Sequence, residues 1–86
     1  MARRRAAQKW EFAQTMLAIH LLNHEGRPGQ LEESRVDRLH RHLRWEEDFI
    51  SHVVRGATRR GLVITRGEEL LLTDQGRDAA RRALVT

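Results

Sequence analysis

The stretch RRGLVITRGEELLLTDQGRDAARRAL, from Arg59 to Leu84, decides the fold. Gly61 follows a helical apolar pattern and suits the left-handed conformation that closes a helix, with Leu62 next to seal the cap hydrophobically. A helix is expected to end there. Leu62, Val63, Ile64 and Thr65 favour an extended strand, Leu70 to Thr73 is the returning run, and Gly67 supplies positive φ near the tip between them. Thr73 stands where a helix N-cap belongs, its hydroxyl placed to accept from a free backbone N–H, while Asp74 and Asp78 set negative charge near the positive helix end. Ala79, Ala80, Ala83 and Leu84 are the expected apolar stripe of a final helix.

Working back towards the start, three helices precede the hairpin. Gln8 to Glu25 carries Trp10, Ala13, Met16, Leu17 and Leu21 at helical spacing, widened by Phe12 and Ile19, so the expectation is a first helix largely covered by the rest of the domain. Gly26-Arg27-Pro28-Gly29 ends it. A second helix is expected from Glu32 to His42 with Val36, Leu39 and Leu43 inward. A third runs from Glu46 to Arg60 with Phe49, Ile50, Val53, Val54 and Ala57 buried, and Trp45 sits at the tight connection between them. The GLV, hairpin and LT-x-x-G-R-x-x-A sequence resembles the tail of winged helix-turn-helix domains of bacterial transcription regulators. The resemblance implies a mostly α fold with a small β-hairpin: three helices, a two-stranded wing and a C-terminal helix. That fold hosts several roles, so function has to come from its surfaces.

Length leaves room for one small domain in 86 residues, and without cysteine neither a disulfide nor a thiolate metal site holds it. No apolar run approaches the roughly 18 residues of a membrane span. Charge is unevenly placed. Of 16 basic residues, Arg3, Arg4, Arg5 and Lys9 precede every acid, and the other 12 are balanced by 12 acids. Residues 1–9 are therefore expected to be a basic flexible leader and residues 10–86 a neutral domain. A leader of this kind is the pattern found just inside a membrane, where each Lys or Arg near an anionic surface contributes about 1 kcal/mol; a solubilising tail is the alternative.

In a helix-turn-helix the start of the second motif helix meets base edges. Here it would present Glu46, Glu47 and Asp48, which suit the helix dipole and suit phosphate badly. Ser51, His52, Arg55, Thr58 and Arg59, with Arg66 at the wing, make up the remaining candidate DNA face, beside Glu68 and Glu69.

Five histidines are many for 86 residues. His20 and His24 stand at i, i+4, the spacing at which two imidazoles share a divalent metal, although no third ligand follows from spacing, and solvated rings at element edges are the simpler alternative. His40 and His42 diverge on a helix. Ser34 and Ser51 lack a glycine-rich elbow or phosphate loop, so nothing supports catalysis.

Met16 to Val63, followed by LLLTDQGRDAA, resembles the cytoplasmic C-terminal extension of bacterial metal ABC transporter permeases, which import manganese, zinc or chelated iron. HLLNHEG (His20 to Gly26) and HLRW (His42 to Trp45) are its most distinctive parts. The resemblance implies a non-enzymatic regulatory or interaction module at the inner face of the bacterial plasma membrane. Its partners would be the rest of the permease, other transporter subunits and the anionic membrane surface, with Arg3 to Lys9 as the juxtamembrane segment. More distantly, metal-dependent winged-helix repressors are similar, but their metal ligands have no counterpart motif here. Two other readings stay open: a stand-alone, metal-responsive, DNA-binding regulator acting as a homodimer, and a domain serving only as a dimerisation surface.

Overall fold

Alanine and arginine are strong helix formers, and with no proline or glycine before Gly26 nothing interrupts a helix through the start of the chain. In the computed structural model, which describes residues 2–85 and side chains from residue 8 onward, helix α1 runs from Ala2 to His24. It takes in the segment expected to be a flexible leader, whose backbone is helical from Ala2. α2 (Gln30–Glu33), a 3-10 turn (Val36–Arg38), α3 (Leu39–Leu43) and α4 (Glu47–Arg59) follow, then strands β1 (Val63–Arg66) and β2 (Glu69–Leu72), and finally α5 (Asp74–Val85). The described residues are thus mostly helical with one small antiparallel sheet, paired Val63 to Leu72 through Arg66 to Glu69.

The expected second helix, Glu32 to His42, is broken. Ser34 is buried, and its hydroxyl lies 2.7 Å from the Gln30 carbonyl oxygen and 3.0 Å from a carboxylate oxygen of Glu69. Serine's habit of bonding nearby backbone competes with helix. Residues 34–36 instead pair with the hairpin: Leu70 N–H donates to the Ser34 carbonyl, Val36 N–H donates to the Glu68 carbonyl, both at 2.8 Å, and Arg35 bridges to Glu69. An isolated antiparallel bridge, not a further strand, therefore borders β2.

The α4 end and the α5 start are built as expected. Gly61 at φ 75° lets its N–H reach the Thr58 carbonyl at 3.0 Å and the Leu62 N–H reach that of Ala57 at 2.9 Å, the paired bonds of a Schellman cap. Gly67, at the hairpin tip, also has positive φ. The Thr73 hydroxyl accepts from the Gly76 N–H at 3.0 Å, and the Thr73 N–H donates to the Leu62 carbonyl at 3.0 Å, so the α4 cap and the α5 cap share one residue, Leu62.

Leu17, Leu39, Val53, Val63 and Leu70 are the largest side chains in the core, each almost fully buried. Burial of such a side chain contributes roughly 1.5–3 kcal/mol. They come from α1, α3, α4 and both strands, and Ala80 of α5 joins the same cluster. Two apolar expectations need correction. Phe12 and Met16 of α1 are 69% and 40% exposed, because α4 and α5 pack on the Ala13, Leu17 and Leu21 side of the helix and leave the other side open. Leu84 is 57% exposed, and Ala80 alone on the α5 stripe is fully buried.

Candidate functional site

α4 and the hairpin carry the first candidate surface. Arg44 in the left-handed conformation (φ 58°) turns the chain between α3 and α4, and Glu46 caps α4 in extended conformation without a side-chain bond. Glu46, Glu47 and Asp48 are all exposed there. Only Glu47 has a near basic side chain among the described residues, the His40 Nε2 at 3.6 Å. The helix thus opens on three solvent-facing carboxylates.

Further along α4, Ser51, His52, Arg55, Thr58 and Arg59 are exposed as expected. They are not one uniform polar face. His52 leans on Trp10, ring centroids 5.4 Å apart, next to a stack of Trp10 on Phe49 (5.1 Å) and an edge contact of Trp45 on Phe49 (5.1 Å). Arg55 and Arg59 flank a groove of about 490 Å³ between α4 and the hairpin whose floor includes Val36, Ile50 and Val54. No ion pair among the described residues engages either arginine. Arg66 is exposed at the hairpin, 3.9 Å from Glu69, and Arg35 is held by Asp37 and Glu68 at 3.0 Å each. The Arg35 guanidinium beside Asp37 holds that carboxyl below its usual value.

The side chains of Arg3, Arg4 and Arg5 lie outside the described residues. Lys9 is exposed, with Nζ 5.8 Å from the Trp10 ring centroid and 5.5 Å from that of Phe49, within cation–π range of both.

The second candidate is the histidine cluster. His20 and His24, one turn apart on α1, have ring centroids 4.8 Å apart. The break at Ser34 brings α2 and α3 against them. Glu33 of α2 reaches in: its Oε1 lies 3.3 Å from His24 Nε2 and 3.6 Å from His20 Nε2, and its Oε2 lies 3.1 Å from His42 Nδ1. The other nitrogen of His42 lies 3.2 Å from Glu32 Oε2. His20 is the most enclosed, its side chain 12% exposed and Nε2 3.0 Å from the Glu33 carbonyl oxygen. Burial, more than any neighbour, lowers its pKa from the usual 6.5 and favours the neutral ring that a metal requires.

Glu33 and His42 were not read as ligands from the sequence. Within a continuous second helix they would be nine residues apart, about 13 Å along the axis. The only local signal was Ser34, a residue that breaks helices when its hydroxyl finds backbone. His40, by contrast, stays outside the cluster and faces Glu47.

Among the described residues, no helix is long and apolar enough to cross a membrane. Compared with known proteins, the chain matches no family model, no curated protein and no solved structure.

Proposed function

We propose that the chain is a non-enzymatic winged-helix module that works through protein contacts, as a regulatory or docking part of a metal-uptake ABC transporter permease at the inner membrane face. The observation that carries the reading is the start of α4, where Glu46, Glu47 and Asp48 all face solvent at the point a major-groove helix would meet DNA. Three carboxylates there repel phosphate, while the groove behind them, with its floor of Val36, Ile50 and Val54 between Arg55 and Arg59, suits an apolar segment bearing acidic flanks. Winged-helix architecture is supported by the element order and by the isolated Arg35–Glu69 bridge, which holds residues 34–36 beside the two-stranded hairpin. The permease assignment rests on the HLLNHEG and HLRW resemblance and on the basic residues at the start of α1.

A DNA-binding regulator is the second reading, favoured by the exposed Arg55 and Arg59. Fluorescence anisotropy with duplex DNA across a salt series separates the two. The module reading expects no saturable binding at physiological salt once residues 1–9 are removed. Binding that persists without them and weakens steeply with salt overturns it in favour of the regulator. Mapping the transcript and reading frame upstream of Met1 tests the permease assignment directly: several apolar spans in frame support it, and an in-frame stop codon excludes it.

A further inference from the structure

We propose that His20, His24, Glu33 and His42 form a divalent metal site of the zinc class, with Glu32 as its outer partner, which locks α1 to α2 and α3. The site goes beyond the docking role and does not depend on the permease assignment. One ligand atom from each of His20, His24 and Glu33 falls within 4.8 Å of the others before any adjustment. In a tetrahedral zinc site with bonds of about 2.0–2.1 Å, ligand atoms stand about 3.3–3.4 Å apart. Glu33 Oε1 lies 3.3 Å from His24 Nε2, close to that spacing, and the other oxygen of the same carboxylate, Oε2, lies 3.1 Å from His42 Nδ1.

Chemistry points the same way. Three imidazoles around one carboxylate is a donor set for zinc, cobalt or nickel, whereas magnesium and calcium prefer oxygen. Ligating histidines characteristically give their second ring N–H to a carboxylate or backbone carbonyl. One such outer partner is in place, Glu32 Oε2 at 3.2 Å from Nε2 of His42; the Glu33 carbonyl, 3.0 Å from His20 Nε2, fills the same role only with His20 ligating through Nδ1. Ordinary surface histidines have no need of such a shell. The four residues come from three separate helices, so an ion there would fix the first helix of the domain against the helix that leads into α4.

Cobalt(II) alone, titrated into the full metal-free chain, is the direct probe, followed by zinc competition against a chromogenic chelator. The expected result is one equivalent of cobalt with the intense visible absorption of a tetrahedral ion, displaced by one equivalent of zinc. His24→Ala and Glu33→Gln should each weaken zinc by tenfold or more, Glu32→Gln by about tenfold as an outer partner, and His40→Ala not at all. If a variant fails to fold by circular dichroism, nitrogen-15 imidazole spectra of the parent chain with and without zinc decide instead. The signals of His20, His24 and His42 should move, with those of His40 and His52 unchanged. The proposal is overturned by absence of saturable binding, by an octahedral cobalt spectrum, by equal affinity in the parent and Glu33→Gln chains, or by imidazole shifts confined to His40 or His52.

Discussion

Glu25, just past the end of the first helix, and Arg77, in the first turn of the last, are joined by two parallel hydrogen bonds: Arg77 Nε donates to Oε1 at 2.8 Å and Nη2 to Oε2 at 2.9 Å. They are 52 residues apart in sequence and partly shielded from solvent. The pair closes α5 onto α1, and Asp74 holds the same guanidinium from the other side at 2.8 Å. The Arg77 bond is the main cause that lowers the Glu25 carboxyl pKa from its usual 4.5. A depressed folded-state pKa means that the unfolded chain binds the proton more readily, so this contribution is complete above about pH 4.5 and is lost as pH falls through the folded value. Arg77→Ala is expected to lower the melting temperature at pH 7. The gap between the variant and parent should narrow as pH drops from 5 to 3, read by thermal unfolding followed at 222 nm.

Gly76 should resist the change to alanine that usually helps a helix. In an open helix position that replacement stabilises by roughly 0.5–1 kcal/mol. Here a Cβ would overlap the Leu62 carbonyl oxygen, an atom fixed by its bond from the Thr73 N–H. Backbone has to move, and Gly76→Ala is expected to cost about 2–3 kcal/mol. Urea unfolding of the variant checks it, and a gain in midpoint would show that α5 does not sit this tightly on the α4 cap.

Ser34 sits at the break beside the histidine cluster. Ser34→Ala removes a buried hydroxyl bonded to Gln30 and Glu69, so a loss of about 1–2 kcal/mol is expected from the unsatisfied partners. The Leu70 and Val36 backbone bonds do not need that hydroxyl and should survive, visible as slow hydrogen exchange at both amides.

Phe12 and Met16, one turn apart on the open side of α1, contribute little to the core. Replacing both with glutamine should change stability by less than about 0.5 kcal/mol, while Leu17→Ala, from a fully buried site on the opposite side, should cost about 2–5 kcal/mol. Comparing the two by chemical denaturation tests which side of α1 the domain packs on. Sedimentation of the glutamine variant against the parent tests whether the open side serves a homodimer.

Zinc should stabilise the parent chain by mass action, by about 2.7 kcal/mol at a free concentration one hundred times its dissociation constant. The same addition should stabilise the Glu33→Gln chain by no more than about 1.4 kcal/mol, given zinc binding at least tenfold weaker. Differential scanning calorimetry with and without zinc reads both.

Short-range chemistry made the second half of the chain legible from residues alone. Gly61 closes α4, Gly67 turns the hairpin and Thr73 opens α5 as their types dictate, because a cap or a turn is decided by a handful of neighbouring backbone groups. Ile50, Val53 and Ala57 of α4 were equally readable, since a 3.6-residue period needs only one buried side to show itself, while Phe49 and Val54 are only partly buried. The exposed acids at the start of α4 followed from the same periodicity.

Tertiary structure alone decided the rest. Apolar spacing on α1 could not tell a helix covered on one side from one covered all round, and only the placement of α4 and α5 left Phe12 and Met16 open. Beyond the residue type of Ser34, nothing local announced that Ser34 and Arg35 would leave the helical pattern to pair with the hairpin, because the partners that satisfy them, Glu69 and Leu70, lie about 35 residues away in sequence. His20 and His24 could be paired by helical spacing alone. Their meeting with Glu33 and His42 depends on that long-range pairing, which breaks the helix and folds its two pieces back onto α1.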